Sequence, residues 1–137
     1  MKATNEFSNI HEAKFMAEMG RVRVENDFQR AIKHLSEGVG WLYYHHPDSR
    51  KSNAGFPDTV CVGFGRCVIF ELKVGKNKPS PDQERWLSAL SKVPGNETYV
   101  WYPSHIGDIL LVLDPSFNAK SLMLTSAVTG EDFFRSL

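Results

Sequence analysis

Two carboxylates and a lysine occupy positions that could support metal-assisted hydrolysis of a phosphate ester. Asp58 precedes one apolar run, and Glu71 and Lys73 close the next as Glu-Leu-Lys. Mg²⁺ binds one or two carboxylates together with waters and substrate phosphate, polarises the phosphate and acidifies a bound water. A lysine beside the metal could hold that water or the charge that develops at phosphorus. These residue types therefore indicate a hydrolytic Mg²⁺ site if the fold brings them together.

The two apolar runs, residues 59–64 and 67–73, predict a β-hairpin that would bring them together. The connection is Gly65-Arg66, and a glycine first in a two-residue connection is typical of a type II′ turn. In that register Asp58 lies opposite Lys73, and all three polar residues share one end of one face. Both faces are largely apolar, which predicts a hairpin inside the sheet and covered on both sides.

A purely structural interpretation of the same residues stays open. Asp58 and Lys73 could form only a cross-strand ion pair, with Glu71 at the end of the sheet, and the Glu-Leu-Lys spacing alone favours that interpretation. The segment Gly-Phe-Pro-Asp at 55–58 favours the metal site, because it places its aspartate at the same end as Glu71. Carboxylates at the end of a buried hairpin are costly unless they have a task or a partner.

Apolar periodicity and helix-capping residues predict the elements that position these residues. Spacing of Phe7, Ile10, Ala13 and Ala17 indicates an N-terminal arm or helix. Gly38 is the predicted end of the next helix, and Ser80 and Ser104 are predicted caps of two later ones. The predicted order is then helix, three strands, helix, strand and helix, over residues 25–37, 41–44, 59–64, 67–73, 81–93, 98–102 and 105–113. This order predicts an α/β domain with a mixed sheet flanked by helices.

Length and composition fit one soluble domain. The chain has 137 residues, of which 42% are hydrophobic and 23% charged. We expect a cytoplasmic protein without an organic cofactor, because no apolar run could span a membrane and the N-terminus does not resemble a secretory signal. Cys61 and Cys67 are predicted core residues in a reducing compartment. His45 and His46 would point to opposite faces of a strand, which does not favour a metal pair.

Positive charge is concentrated around the candidate site although the chain as a whole is neutral. Sixteen basic residues balance sixteen acidic ones, but residues 50–78 carry six basic side chains against two acidic ones. A local basic patch can bind phosphates on a neutral protein. The candidates for contact with a DNA backbone are Arg50, Lys51, Lys76 and Lys78. A solvated loop is the commoner meaning of a pair such as Arg50-Lys51.

Several motifs together resemble the VRR-NUC branch of the PD-(D/E)XK nucleases. The matching motifs are Glu25 with Gln29, Asp48-Ser49-Arg50, Gly55-Phe56-Pro57-Asp58, Phe70-Glu71-Leu72-Lys73, Ser80-Pro81-Asp82-Gln83, Trp86-Leu87 and Val100-Trp101-Tyr102-Pro103-Ser104. The resemblance covers about residues 25 to 113. It departs at Tyr102 and His105, where members often have arginine and aspartate, which puts a DNA contact there in doubt.

The resemblance implies a restriction-endonuclease-like core and a role for each site residue. Asp58 and Glu71 would bind Mg²⁺, or Mn²⁺ in its place, together with the backbone carbonyl of Leu72. Lys73 would serve the water, and Glu25 and Gln83 would support the site. Small stand-alone members, many from phages, resemble Holliday-junction resolvases and act as homodimers on branched DNA.

The residues themselves leave the roles of Glu25 and Gln83 open. Glu25 could reach the metal, through water or as ligand of a second ion, or could only favour the N-terminus of its helix through the dipole. Gln83 could complete a capping box with Ser80 and support the site as well.

Three functions remain in view. The first is a structure-specific, homodimeric DNA endonuclease acting on branched or junction DNA. The second is a sequence-specific endonuclease of the homing or restriction type, although no appended module for reading base edges is evident. The third is a DNA-binding protein without catalysis. In each case we expect an N-terminal arm or helix over 1–24, a nuclease core over 25–114 and a C-terminal extension over 115–137, with a strand near Leu122 and a short helix.

Overall fold

The computed structural model describes residues 2–46 and 53–117 as a mixed α/β fold. Its helices are α1 (Lys2–Met19), α2 (Glu25–Val39), α3 (Pro81–Ser91) and α4 (Ile106–Leu113), with a single 3₁₀ turn at Pro103–His105 before α4. Its strands are β1 (Leu42–His45), β2 (Thr59–Gly63), β3 (Arg66–Leu72) and β4 (Asn96–Trp101). The predicted order of helices and strands after the N-terminal segment is confirmed.

The four strands form one mixed sheet in the order β1-β2-β3-β4. Neighbours are antiparallel except β3 and β4, which are parallel and joined through α3. One face packs on α1, α2 and α4 in a cluster that includes Phe28, Ile32, Phe70 and Trp101. The opposite face carries α3, whose Leu87 is fully buried. The hairpin of β2 and β3 therefore lies inside the sheet, although Val62 is 45% exposed on the α3 face, so the cover there is incomplete.

The turn between β2 and β3 lies one residue earlier than predicted. Phe64 and Gly65 form it with φ of 53° and 72°, and two positive φ values are typical of a type I′ turn. The prediction of Gly65-Arg66 was wrong because Arg66 begins β3, opposite Gly63. The register shifts by two residues, which moves every pairing but leaves each side chain on its predicted face, since strands have a period of two.

The end of α2 also differs from the prediction. Gly38 lies inside the helix, and Gly40, with φ of 120°, ends it as its amide binds the carbonyl of Ser36. A Cβ on Gly38 would lie 2.7 Å from Nδ1 of His11 on α1. The absent side chain of Gly38 therefore leaves room for the imidazole of His11, and the residue does not end the helix.

The N-terminal helix presents a different face to the core than predicted. Phe15 and Met19 are buried. The predicted apolar positions with described side chains are exposed, namely Ile10, Ala13 and Ala17. The side chain of Phe7, the strand near Leu122 and the C-terminal helix fall outside the described residues.

The start of α4 also differs from the prediction. Ser104 was predicted to cap this helix, but it lies within the 3₁₀ turn and its side chain makes no capping bond. None of the described helices is long and apolar enough to cross a membrane.

Candidate active site

One polar pocket collects the predicted catalytic residues. It measures about 220 Å³ and lies where α2 begins, β2 and β3 meet, and α3 begins. Its lining residues are Glu25, Asn53, Gly55, Phe56, Asp58, Glu71, Lys73 and Gln83. All five predicted catalytic side chains are therefore brought together from four separate elements or loops.

Asp58 and Glu71 meet at the open end of the hairpin. The backbone amide of Asp58 donates a hydrogen bond to Oε1 of Glu71 across 3.2 Å. Glu71 is only 1% exposed. Burial, and then the neighbouring Asp58 carboxylate, raise the pKa of Glu71 to about 9. Without a cation, one of the two acids therefore holds a proton near neutral pH, as expected for two carboxylates that share a desolvated site.

Lys73 and Gln83 converge on the other oxygen of Glu71. The Nζ of Lys73 lies 3.5 Å from Oε2, and the Nε2 of Gln83 donates to the same oxygen across 2.9 Å. The ammonium lowers the pKa of Glu71, but less than burial and Asp58 raise it. Lys73 therefore pairs with Glu71, two residues before it, and not with Asp58 as in the purely structural interpretation.

Gln83 caps its helix and also contacts Glu71. Its Oε1 accepts a hydrogen bond from the backbone amide of Ser80, while Oγ of Ser80 accepts one from the amide of Gln83. This is a capping box at the start of α3. Because Oε1 is held by the cap, the Nε2 of the same amide is fixed in the direction of Glu71.

Glu25 is the third acid of the pocket. It is the first residue of α2, and its pKa is raised by burial and then by the charge of Asp58. Lys73 and His45 act in the opposite direction. The carboxylate of Glu25 is therefore within electrostatic reach of the Asp58–Glu71 pair.

Gln29 lies one turn further along α2 and ties that helix to the sheet. Its buried Nε2 donates to Oγ1 of Thr59 across 2.8 Å and to the hydroxyl of Tyr43. Thr59 is the residue directly after Asp58. The amide therefore fixes the start of α2 relative to β1 and β2, which sets the position of Glu25.

His45 contributes to the site in a way that the sequence did not reveal. Its Nδ1 lies 3.1 Å from the carbonyl oxygen of Asp58. It is the last residue of β1, and the register places it opposite Thr59. This contact could not be predicted from the sequence, because it depends on the pairing of β1 with β2, which brings His45 next to residues 58 and 59.

Two of the remaining basic candidates, Lys76 and Lys78, can be placed relative to the pocket. Lys76 and Lys78 are exposed in the loop after β3 and do not line the cavity. Arg50 and Lys51 fall outside the described residues. Nearby, the hydroxyl of Tyr102 donates to the carbonyl of Asn77 across 2.6 Å, which ties the same loop to the residue before the 3₁₀ turn.

The donor set fits a hard cation such as Mg²⁺. Within residues 2–46 and 53–117, no three side chains of His, Cys, Asp or Glu are arranged as a ready ligand set. Mg²⁺ requires fewer, since it takes one or two carboxylates and keeps several waters. Asp58 and Glu71 supply two carboxylates whose mutual repulsion a cation would relieve, and Leu72 lies between Glu71 and Lys73 at the end of β3.

Comparisons with protein-family models, with curated proteins and with solved structures find no match for this chain. The site is defined by its own geometry. Asp58 and Glu71 are adjacent, and Lys73 and Gln83 both contact Oε2 of Glu71.

Proposed function

We propose that this protein is a Mg²⁺-dependent endonuclease that hydrolyses phosphodiester bonds in DNA, with a restriction-endonuclease-like core. The observation that carries the proposal is the Asp58–Glu71 pair at the end of a central hairpin, with the Nζ of Lys73 3.5 Å from Oε2 of Glu71. A structural ion pair needs one acid and one base. A buried acid with a raised pKa, beside a second acid in a polar cleft, marks a candidate functional site.

Asp58 and Glu71 would hold the metal, with the carbonyl of Leu72 and with Glu25 as further candidates. When bound, Mg²⁺ supplies charge neutralisation at the phosphate and an acidified water. Lys73 has three N–H donors, of which one is directed at Glu71, so others could orient a water or a phosphate oxygen. Gln83 restrains the Glu71 carboxylate and thereby fixes its free lone pairs.

The substrate that we propose is branched or junction DNA, cut by a homodimer. Each chain offers one such pocket among its described residues. Cutting both strands of a junction in a coordinated way needs two pockets, which a dimer would supply. Light scattering of the purified protein, with and without junction DNA, measures this stoichiometry.

The testing experiment is a cleavage assay on labelled four-way junction, flap, nicked, duplex and single-stranded DNA, and on RNA of the same sequences. Each substrate is incubated with Mg²⁺, Mn²⁺ or EDTA. Variants Glu71→Gln and Lys73→Met are compared with Glu12→Gln, a matched control at an exposed position on α1. We expect metal-dependent cutting that both site variants reduce at least about a hundredfold and the control leaves intact.

Each other outcome of the assay selects a different function. Cutting of one plasmid at a single position would indicate a sequence-specific endonuclease instead. Binding of DNA without cutting, equal in wild type and Glu71→Gln, would indicate a binding protein. Cutting that survives in Glu71→Gln would remove Glu71 from the chemistry.

A further inference from the structure

Phe56 is the one apolar side chain among the described residues that line the catalytic pocket. The other lining side chains carry carboxylate, amide or ammonium groups, apart from Gly55, which has no side chain. Phe56 is 36% exposed and lies two residues before Asp58. The ring therefore lies beside the acids and stays partly exposed, rather than packing into the apolar core of the sheet.

The loop that carries Phe56 is held firmly against α3. The amide of Phe56 donates to the carbonyl of Asn53, and the indole Nε1 of Trp86 donates to the carbonyl of Ala54 across 3.2 Å. Gly55 has φ of 84°, and a Cβ there would lie 2.5 Å from the backbone of Asp82. The loop can therefore adopt this position only because residue 55 is glycine.

The indole of Trp86 packs against the ring of Phe56. The two ring centroids are 5.0 Å apart with an interplanar angle of 79°, an edge-to-face contact. This contact orients the phenyl ring and still leaves about a third of the residue exposed. An oriented, partly exposed aromatic ring is the feature on which nucleic-acid-binding proteins stack unpaired bases.

We propose that Phe56 stacks on an unpaired nucleobase next to the phosphate held at Asp58 and Glu71. The inference rests on the proposed function and names its substrate class. In continuous duplex the bases are stacked on one another, so a protein meets the backbone and the base edges but not the base faces. Phe56 can meet a base face only where a nucleotide has left the helix, as at a branch, flap or single strand. It would therefore favour such substrates over duplex.

The first test measures stacking directly and does not require catalysis. An oligonucleotide with 2-aminopurine in an unpaired stretch is titrated with protein in EDTA or Ca²⁺, and a gel verifies that it stays uncut. We expect fluorescence to fall with the wild type and with Phe56→Tyr, and to stay high with Phe56→Leu. Tyr44→Leu, at an exposed aromatic on β1 that does not line the pocket, is the matched control and should quench like the wild type.

The second test measures specificity. The ratio of cleavage rates on unpaired against duplex DNA should fall about tenfold in Phe56→Leu, the discrimination expected from one lost stacking contact. Phe56→Met provides a second non-aromatic variant, with thermal melting of both to verify folding. Quenching and a rate ratio that remain as in the wild type in Phe56→Leu and Phe56→Met would overturn the stacking role while the nuclease stands. Quenching that depends on residue 56, in a protein that cuts nothing, would support stacking and remove the nuclease.

Discussion

The side-chain amide of Gln83 connects the first turn of α3 to the buried acid of the site, because its Oε1 holds the amide of Ser80 while its Nε2 donates to Glu71 across 2.9 Å. Gln83→Glu separates these two roles. Glutamate still completes a capping box, but it offers Glu71 a negative oxygen in place of a donor. We expect cleavage to slow about 10- to 100-fold, the usual effect of removing a partner of a metal-ligating group. The melting temperature should change little, and an unchanged rate would show that Glu71 needs no such support.

The buried acid pair makes the metal-free protein less stable as pH rises. Glu71 has a pKa raised from 4.5 to about 9, so between these values the folded state binds more protons than the unfolded state. The free energy of unfolding in EDTA should therefore decrease from pH 5 to pH 9, and the raised pKa of Glu25 adds a contribution of the same sign. Urea unfolding at several pH values measures this slope.

Glu71→Gln is the matched control for that slope. Its amide resembles the protonated acid and cannot ionise, so the variant should show a flatter profile and be more stable than the wild type at pH 8 in EDTA. Added Mg²⁺ should stabilise the wild type more at pH 8 than at pH 5.5, since deprotonated ligands bind it. Equal slopes in the two proteins would contradict the assignment of Glu71.

Gly55 is a position where even one methyl group should disrupt the site. Gly55→Ala would combine a positive φ with a Cβ 2.5 Å from the backbone of Asp82. We expect loss of at least about 1–3 kcal/mol of stability and a larger loss of cleavage, because Asp58 follows in the same loop. Gly75→Ala has a comparable φ of 60° but open space around the Cβ, so it isolates the cost of backbone strain. Equal effects of the two variants on cleavage would contradict this account.

Arg66 clamps the end of the sheet that lies away from the site. Its guanidinium makes two hydrogen bonds to Glu97, of 2.8 and 2.6 Å, and two more to the carbonyls of Val112 and Asp114. It also lies 5.1 Å from the ring centroid of Trp41. Arg66→Met should cost about 3–5 kcal/mol, since it leaves the Glu97 carboxylate, whose side chain is only 10% exposed, without its cation. Denaturant unfolding measures the loss, and cleavage per folded molecule should remain close to that of the wild type.

The Arg66→Met, Glu97→Leu double variant serves as the control for that prediction. It removes the unpaired charge and should recover part of the lost stability. If the single and double variants were equally unstable, the ion pair itself would not be the cause.

The sequence predicted which face each strand residue occupies more reliably than it predicted the pairings. Alternation in β2 and β3 assigns Asp58 and Glu71 to one face for either two-residue turn, because the two registers differ by two residues and such a shift preserves faces. The turn itself depends on a distant contact, the packing of Phe64 on Trp41 with ring centroids 5.0 Å apart. Nothing within the local sequence of the turn contains that information.

In the candidate site, too, the residues with short spacings along the chain could be predicted, and those whose roles depend on contacts between separate elements could not. The paired acids, Lys73 and the capping box of Gln83 follow from short spacings along the chain. His45 and Phe56 escaped prediction because their roles depend on contacts between separate elements, with the carbonyl of Asp58 and with Trp86. Gly38 was misassigned for the same reason, since its close neighbour is His11 on another helix.

The hairpin that joins Asp58 to Glu71 has a consequence for folding kinetics. Contacts between adjacent strands need little loop closure, so the two acids can approach early, while water still solvates both. The electrostatic penalty arises only when α2 and α3 cover the site. We therefore expect that relieving the penalty by Glu71→Gln slows unfolding and leaves the folding rate almost unchanged. The charge of Glu71 would then limit the lifetime of the native state rather than the speed with which it forms.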